Sequence, residues 1–128
     1  DNGNWTPDAT GPQDPCPTGY RVPSQAEWVT VNSNNTTFRT GTFTSGTTEY
    51  GSALHYGPDA STKSLTLLAA GSRSNTSGEL NSRGLAGYYW SSAENGSNAY
   101  NLYFNSNYEN PSDSSNRARG LSVRCIAE

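Results

Sequence analysis

One histidine, eleven carboxylates and two cysteines are what this chain of 128 residues has to offer for chemistry. A nucleophilic triad needs a base beside the nucleophile, and His55 is the sole imidazole. It stands in Leu54-His55-Tyr56, a setting that predicts a packed structural histidine. The carboxylate pairs Asp8 with Asp14 and Glu109 with Asp113 fall in loops whose geometry nothing in the sequence fixes. Glu109, Asn110, Asp113 and Asn116 offer oxygen ligands within one loop, but their spacing matches no calcium loop. No C-x-x-C occurs to hold zinc. These readings predict a protein without catalysis, metal or cofactor.

What the spacing does support is recognition. Residues 98–116 read NAYNLYFNSNYENPSDSSN, and the first half alternates. Tyr100, Leu102 and Phe104 share one face of an extended strand, and Asn101, Tyr103, Asn105 and Asn107 share the other. Tyr offers large contact area at low entropic cost, and Asn and Ser offer adaptable hydrogen bonds, the mixture that antibody binding loops use. The competing reading is an amphipathic edge strand with a polar loop. N-x-S/T sequons, among them those starting at Asn4, Asn34, Asn75 and Asn95, carry little weight in a chain this rich in Asn, Ser and Thr.

The elements that must position this stretch have little aliphatic material to work with. Leu, Ile, Val and Phe make up an eighth of the chain, below the roughly 20% that warns of disorder. Net charge is only −3, and three Trp and eight Tyr can supply the missing core area. A loop-rich single domain with an aromatic core is expected. One Lys, scattered Arg and a pI near 5.0 argue against nucleic acid as a partner. No apolar run reaches membrane-span length and no signal peptide is visible, so no direct membrane insertion is expected of these residues. Any targeting or anchoring segment is expected to lie outside them or to have been removed.

Cys16 and Cys125 stand near opposite ends. A disulfide between them would remove denatured-state entropy worth about 4 to 5 kcal/mol and would imply folding outside the reducing cytosol. Buried free thiols are the alternative.

Taken in order, residues 1–15 read as an irregular lead-in packed on the domain, with Trp5 as its one large apolar residue, and 16–128 as the domain itself. Ser24 and Glu27 form a capping box that starts a short helix ending near Val31 or Asn32, with Trp28 buried. Residues 36–64 suit short strands around isolated aromatics, with a second short helix over 49–54. The apolar run 65–70 predicts a strand covered on both faces. Leu80 is the expected anchor of a polar loop over 75–84. Residues 87–92 form an aromatic strand, and 121–125 a last strand with Leu121, Val123 and Cys125 on one face. This pattern is α+β, with a twisted, mainly antiparallel sheet.

The motifs Asp14-Pro15-Cys16-Pro17, Gly19-Tyr20-Arg21-Val22-Pro23-Ser24, Glu27-Trp28, Leu68-Ala69-Ala70-Gly71 with Arg73, Gly87-Tyr88-Tyr89-Trp90-Ser91-Ser92 and Gly120-Leu121-Ser122-Val123-Arg124-Cys125 together resemble the Fibrobacter succinogenes major paralogous domain over residues 5–126. That family is common in exported proteins of Bacteroidetes and looks like a branch of the C-type lectin fold. The resemblance implies short helices, long loops and chain ends brought together, which supports a Cys16–Cys125 bridge. From Trp90 to Gly120 the chain is also similar to variable proteins of diversity-generating retroelements. In those, adenine mutagenesis turns Asn codons into Tyr, Ser or Asp codons on a lectin-fold surface. Calcium-dependent lectins use Glu-Pro-Asn or Gln-Pro-Asp with a Trp-Asn-Asp run, whereas here Glu109-Asn110-Pro111 has another order. The related formylglycine-generating enzymes need active-site cysteines, and a bridge would occupy both thiols here.

The expected function is therefore ligand binding by a non-catalytic, C-type lectin-like domain on a cell surface, in secreted form, or at a phage tail tip. Its C-terminal part is diversified, and its ligand is an unidentified protein or glycan. The expected contacts are Glu94, Asn95, Ser97, Asn98, Asn101, Tyr103, Asn105, Asn107, Tyr108, Ser112, Asp113, Ser114, Ser115 and Arg119. Arg117 and Arg124 are expected to bind backbone carbonyls. The alternatives are a pilus or surface assembly module and a fixed carbohydrate-binding domain.

Overall fold

The computed structural model describes residues 13–128, so the Trp5 part of the lead-in lies outside the described residues. In chain order the elements are β1 (Tyr20–Arg21), α1 (Gln25–Asn34), β2 (Thr36–Thr40), β3 (Ala53–Gly57), β4 (Leu65–Leu68), β5 (Ser72–Arg73), β6 (Leu80–Asn81), β7 (Gly87–Asn95), β8 (Asn98–Phe104), β9 (Glu109–Asn116) and β10 (Ile126–Ala127). They pair as four small antiparallel sheets, β1-β10, β2-β3-β4, β5-β6 and β7-β8-β9. One helix against open antiparallel sheets is an α+β arrangement. No helix among the described residues is long and apolar enough to cross a membrane.

The helix starts where its capping box predicts. Ser24 Oγ accepts from the Glu27 amide at 3.2 Å, and the Glu27 carboxylate accepts from the Ser24 amide at 2.8 Å. Arg21 closes on the same carboxylate with two bonds of 2.8 and 2.7 Å. The Arg21 guanidinium, aided by the Ser24 amide, holds the Glu27 carboxyl down to about 2. The helix runs past its expected end to Asn34. Asn35 in extended conformation donates its side-chain amide to the Val31 carbonyl at 2.9 Å, so a turn-favouring residue closes the helix instead of cutting it short.

Trp28 enters the main core, whose other members are Phe43, Leu54, Tyr56, Leu67, Ala69, Tyr89, Leu102 and Phe104. The second helix expected over 49–54 does not form: Leu54 belongs to β3, the central strand of its sheet, buried along its whole length. β3 is thus the strand covered on both faces, a role assigned above to 65–70. β4 is instead an edge strand with Leu67 inside and Leu68 half exposed. An edge needs only one packed face, and the alternation of burial along β4 follows from that. Leu80 is likewise no anchor, being 53% exposed in the short β5-β6 hairpin.

His55 is a structural residue. Its ring is buried between Thr40 Oγ1 at 2.8 Å and Thr66 Oγ1 at 2.9 Å and stacks on Phe38. Burial, then the charge of Lys63, pushes its pKa down and keeps the ring neutral.

A second cluster gathers Cys16, Val22 and Trp90, with Ala99, Leu121, Val123 and Cys125 against them. Cys16 and Cys125 form a disulfide across a separation of 109 residues, next to the β1-β10 pair that joins the two ends. The final strand lies at Ile126–Ala127 and not at 121–125, because Tyr20 and Arg21 offer their edge to Ala127 and Ile126.

Candidate ligand-binding face

The β7-β8-β9 sheet has two unlike faces, and register decides which side chains share them. Directly opposed residues point the same way. Tyr89 opposes Leu102 and Gly87 opposes Phe104, all toward the main core. A Cβ on Gly87 would stand 2.2 Å from two atoms of the Phe104 ring, so only glycine lets that ring close the sheet. On the other face Tyr88 opposes Tyr103, Trp90 opposes Asn101, and Asn101 opposes Asp113. The half of this face around Trp90 and Ala99 is covered by the second cluster. The half around Tyr88 and Tyr103 stays open.

Local chemistry fixes what is displayed there. The Asn105 side-chain oxygen accepts from the amides of Asn107 at 2.8 Å and Tyr108 at 3.1 Å, the turn that asparagine favours. Its side-chain nitrogen donates to the Tyr103 hydroxyl at 3.0 Å. Arg39 reaches from β2 to the Asn105 carbonyl at 2.7 Å and pairs with Glu109. These contacts hold the β8-β9 turn so that Tyr108 stands beside Tyr103, ring centroids 5.6 Å apart. Tyr103 in turn lies 5.0 Å from Tyr88. At the Tyr88 end the Arg119 guanidinium sits 5.6 Å from the ring centroid and donates to Ser72 Oγ at 3.0 Å. Arg119, Tyr88, Tyr103 and Tyr108 thus form one row, with Tyr108 53% exposed and the others half-buried. Burial, then Tyr103, raises the Tyr88 phenol, so it stays protonated.

Asp113, opposite Asn101, shares the face of the row. Three β9 steps, from Asn110 to Asp113, oppose two β8 steps, from Tyr103 to Asn101, which makes a bulge at Pro111 and Ser112. Gln25, at the start of α1, donates to Ser112 Oγ at 2.7 Å and pins the bulge.

Of the expected contacts, Tyr103, Asn105, Tyr108, Asp113 and Arg119 gather at or beside the row, with Asn107 exposed on the adjoining turn, while Ser112 is exposed on the bulge and bonded to Gln25 of α1. Glu94, Asn95, Ser97 and Asn98 do not join them. They occupy the opposite end of β8, in a hairpin that turns at Gly96 with φ 58°. There Arg117 donates to the carbonyls of Gly96 at 2.6 Å and Asn98 at 3.0 Å and lies 3.3 Å from Glu94.

Two expected contacts are corrected. Asn101 is fully buried, its side-chain amide donating to Asp113 at 3.2 Å. Ser115 is buried opposite Ala99. Both have the outward parity that alternation assigns, but they lie on the stretch of that face which the second cluster covers. Ser114 opposes Tyr100 and so shares the other face, half-buried. Tyr88 and Ser72 were missed. The pairing of Tyr88 with Tyr103 is the signal that finds Tyr88, and it needs the register of a hairpin whose strands slip between Trp90 and Glu94.

The class these features define is a disulfide-stapled α+β domain with an aromatic face on its C-terminal sheet. The Fibrobacter succinogenes major domain matches residues 4–127, and the chain belongs to that family. No curated protein and no solved structure matches it.

Proposed function

We propose that this chain is a non-catalytic ligand-binding domain of an extracytoplasmic protein, a receptor-binding or adhesin module with a C-type lectin-like fold. Its contact surface is the row Arg119, Tyr88, Tyr103 and Tyr108 with Asp113 beside it. The observation that carries the reading is Tyr108. A large aromatic is held half exposed by a purpose-built asparagine turn, in register with two further tyrosines. Folding alone gives no reason to pack rings there, whereas interfaces favour Tyr and Arg at their centres. The disulfide suits an oxidising compartment.

The same face is the part of the chain that a diversity-generating retroelement would vary. Sequencing the locus tests this. The reading expects a reverse transcriptase gene beside a near-copy of the 3′ end that differs at adenines, with changes at exposed positions such as Asn107, Tyr108 and Ser112. Differences spread over the core codons of Leu102 and Phe104, or no near-copy at all, sink the diversification claim while leaving ligand binding to be tested by itself.

A further inference from the structure

Arg119 is distinguished by its setting over an aromatic ring and not by lacking an ion pair, since Arg73, Arg83 and Arg124 likewise form no salt bridge among the described residues. Arg21 pairs with Glu27, Arg39 with Glu109 and Arg117 with Glu94. Arg119 has no carboxylate within salt-bridge distance among the described residues. It rests on the Tyr88 ring, with one hydrogen bond to Ser72. A guanidinium has five N–H donors in a planar fork that matches a carboxylate. The Tyr88 ring holds the guanidinium over its face while only one donor is spent on Ser72. Against a net charge of −3 for the whole protein, Arg119 places a cation at one end of the aromatic row. Asp113 stands near enough to bear on Tyr88, without pairing with Arg119.

We infer that the row recognises a protein partner that presents an acidic side chain to Arg119 and an apolar or aromatic side chain to Tyr103 and Tyr108. This deepens the ligand-binding reading and rests on it. The ring tilts favour a peptide segment over a sugar. Tyr88 and Tyr103 meet at 51° and Tyr103 and Tyr108 at 56°, so the rings form an uneven apolar surface and not the flat platform on which a pyranose stacks.

The test is selection of a random linear-peptide display library on the intact disulfide-bonded protein, followed by titration of the enriched peptides against wild type, Arg119→Gln, Arg119→Lys and Tyr103→Ala. The melting temperature of each variant is measured alongside. The expected peptides contain Asp or Glu next to an apolar or aromatic residue, and their binding weakens as salt rises. Affinity falls about tenfold or more in Arg119→Gln and in Tyr103→Ala, and Arg119→Lys, which keeps the charge but loses the planar fork, recovers only part of it. Peptides that need Tyr103 but ignore Arg119→Gln overturn the acidic-partner inference and leave the binding face standing. Peptides indifferent to both residues, or no enrichment, overturn both. Enrichment on a glycan array in place of peptides overturns the choice of a protein partner.

Discussion

Glu27 shows how much one side chain can hold. It caps α1, receives two bonds from Arg21 and so joins the helix to β1. Its carboxyl lies at about 2 in the fold against an ordinary 4.5, so the unfolded chain takes up the proton first as pH falls. Its contribution is therefore complete above about pH 4.5 and lost on the way down to about 2. Denaturant melts across that window should show stability falling more steeply for wild type than for Glu27→Gln, and equal slopes would remove the Arg21 clamp from the account. Asn101 makes the opposite point. A side chain expected to touch ligand is fully buried, with its amide on half-buried Asp113, and truncating it removes that bond and leaves a void where the side chain was packed. Asn101→Ala should lower stability by about 1 to 3 kcal/mol, read as a drop in denaturation midpoint. A neutral result would place Asn101 at the surface after all.

At the scale of elements, legibility followed locality. The capping box marked the start of α1 because its two hydrogen bonds span three residues, and the aromatic run from Gly87 marked β7 for the same reason. His55 was readable as structural from its apolar neighbours. The assignments that went wrong depend on partners distant in sequence. Whether 53–57 or 65–68 is the doubly covered strand is decided by what packs on each of its faces, and those partners are distant in sequence. The proposed contact face divides in the same way. Tyr103, Tyr108 and Arg119 were visible as outward, polar-capable residues. Asn101 and Ser115 have the same parity, but residues near both ends of the chain, around Cys16 and Leu121, fold over that half of the sheet. Tyr88 was hidden because its role exists only once β7 and β8 are in register. The hairpin at Gly96 is a separate unit braced by Arg117. Its substitution belongs with turn stability, not with the tyrosine row.

For the whole molecule, a small aliphatic content is offset by aromatic packing and by one covalent closure. The bridge between Cys16 and Cys125 spans nearly all of the described chain, and closing a loop of that length is worth about 4 to 5 kcal/mol in the chain-entropy picture. Reduction, or Cys16→Ala with Cys125→Ala, should lower the unfolding free energy by an amount of that order. A change near zero would mean that the unfolded chain gains little freedom when the bridge is lost. Such a scaffold can carry a varied face because the residues that fix β8, Leu102 and Phe104, point away from those that would meet a partner.

The central claim, that the tyrosine row is displayed for recognition and not for folding, is tested most directly by the Tyr103→Ala, Tyr108→Ala double variant. Its melting temperature and its affinity for a selected peptide are measured side by side. The account predicts that binding falls by tenfold or more, while the melting temperature moves by only a few degrees, in keeping with a half-exposed pair. Unchanged binding, or a collapse of the melting temperature that shows the rings to be core, would contradict it.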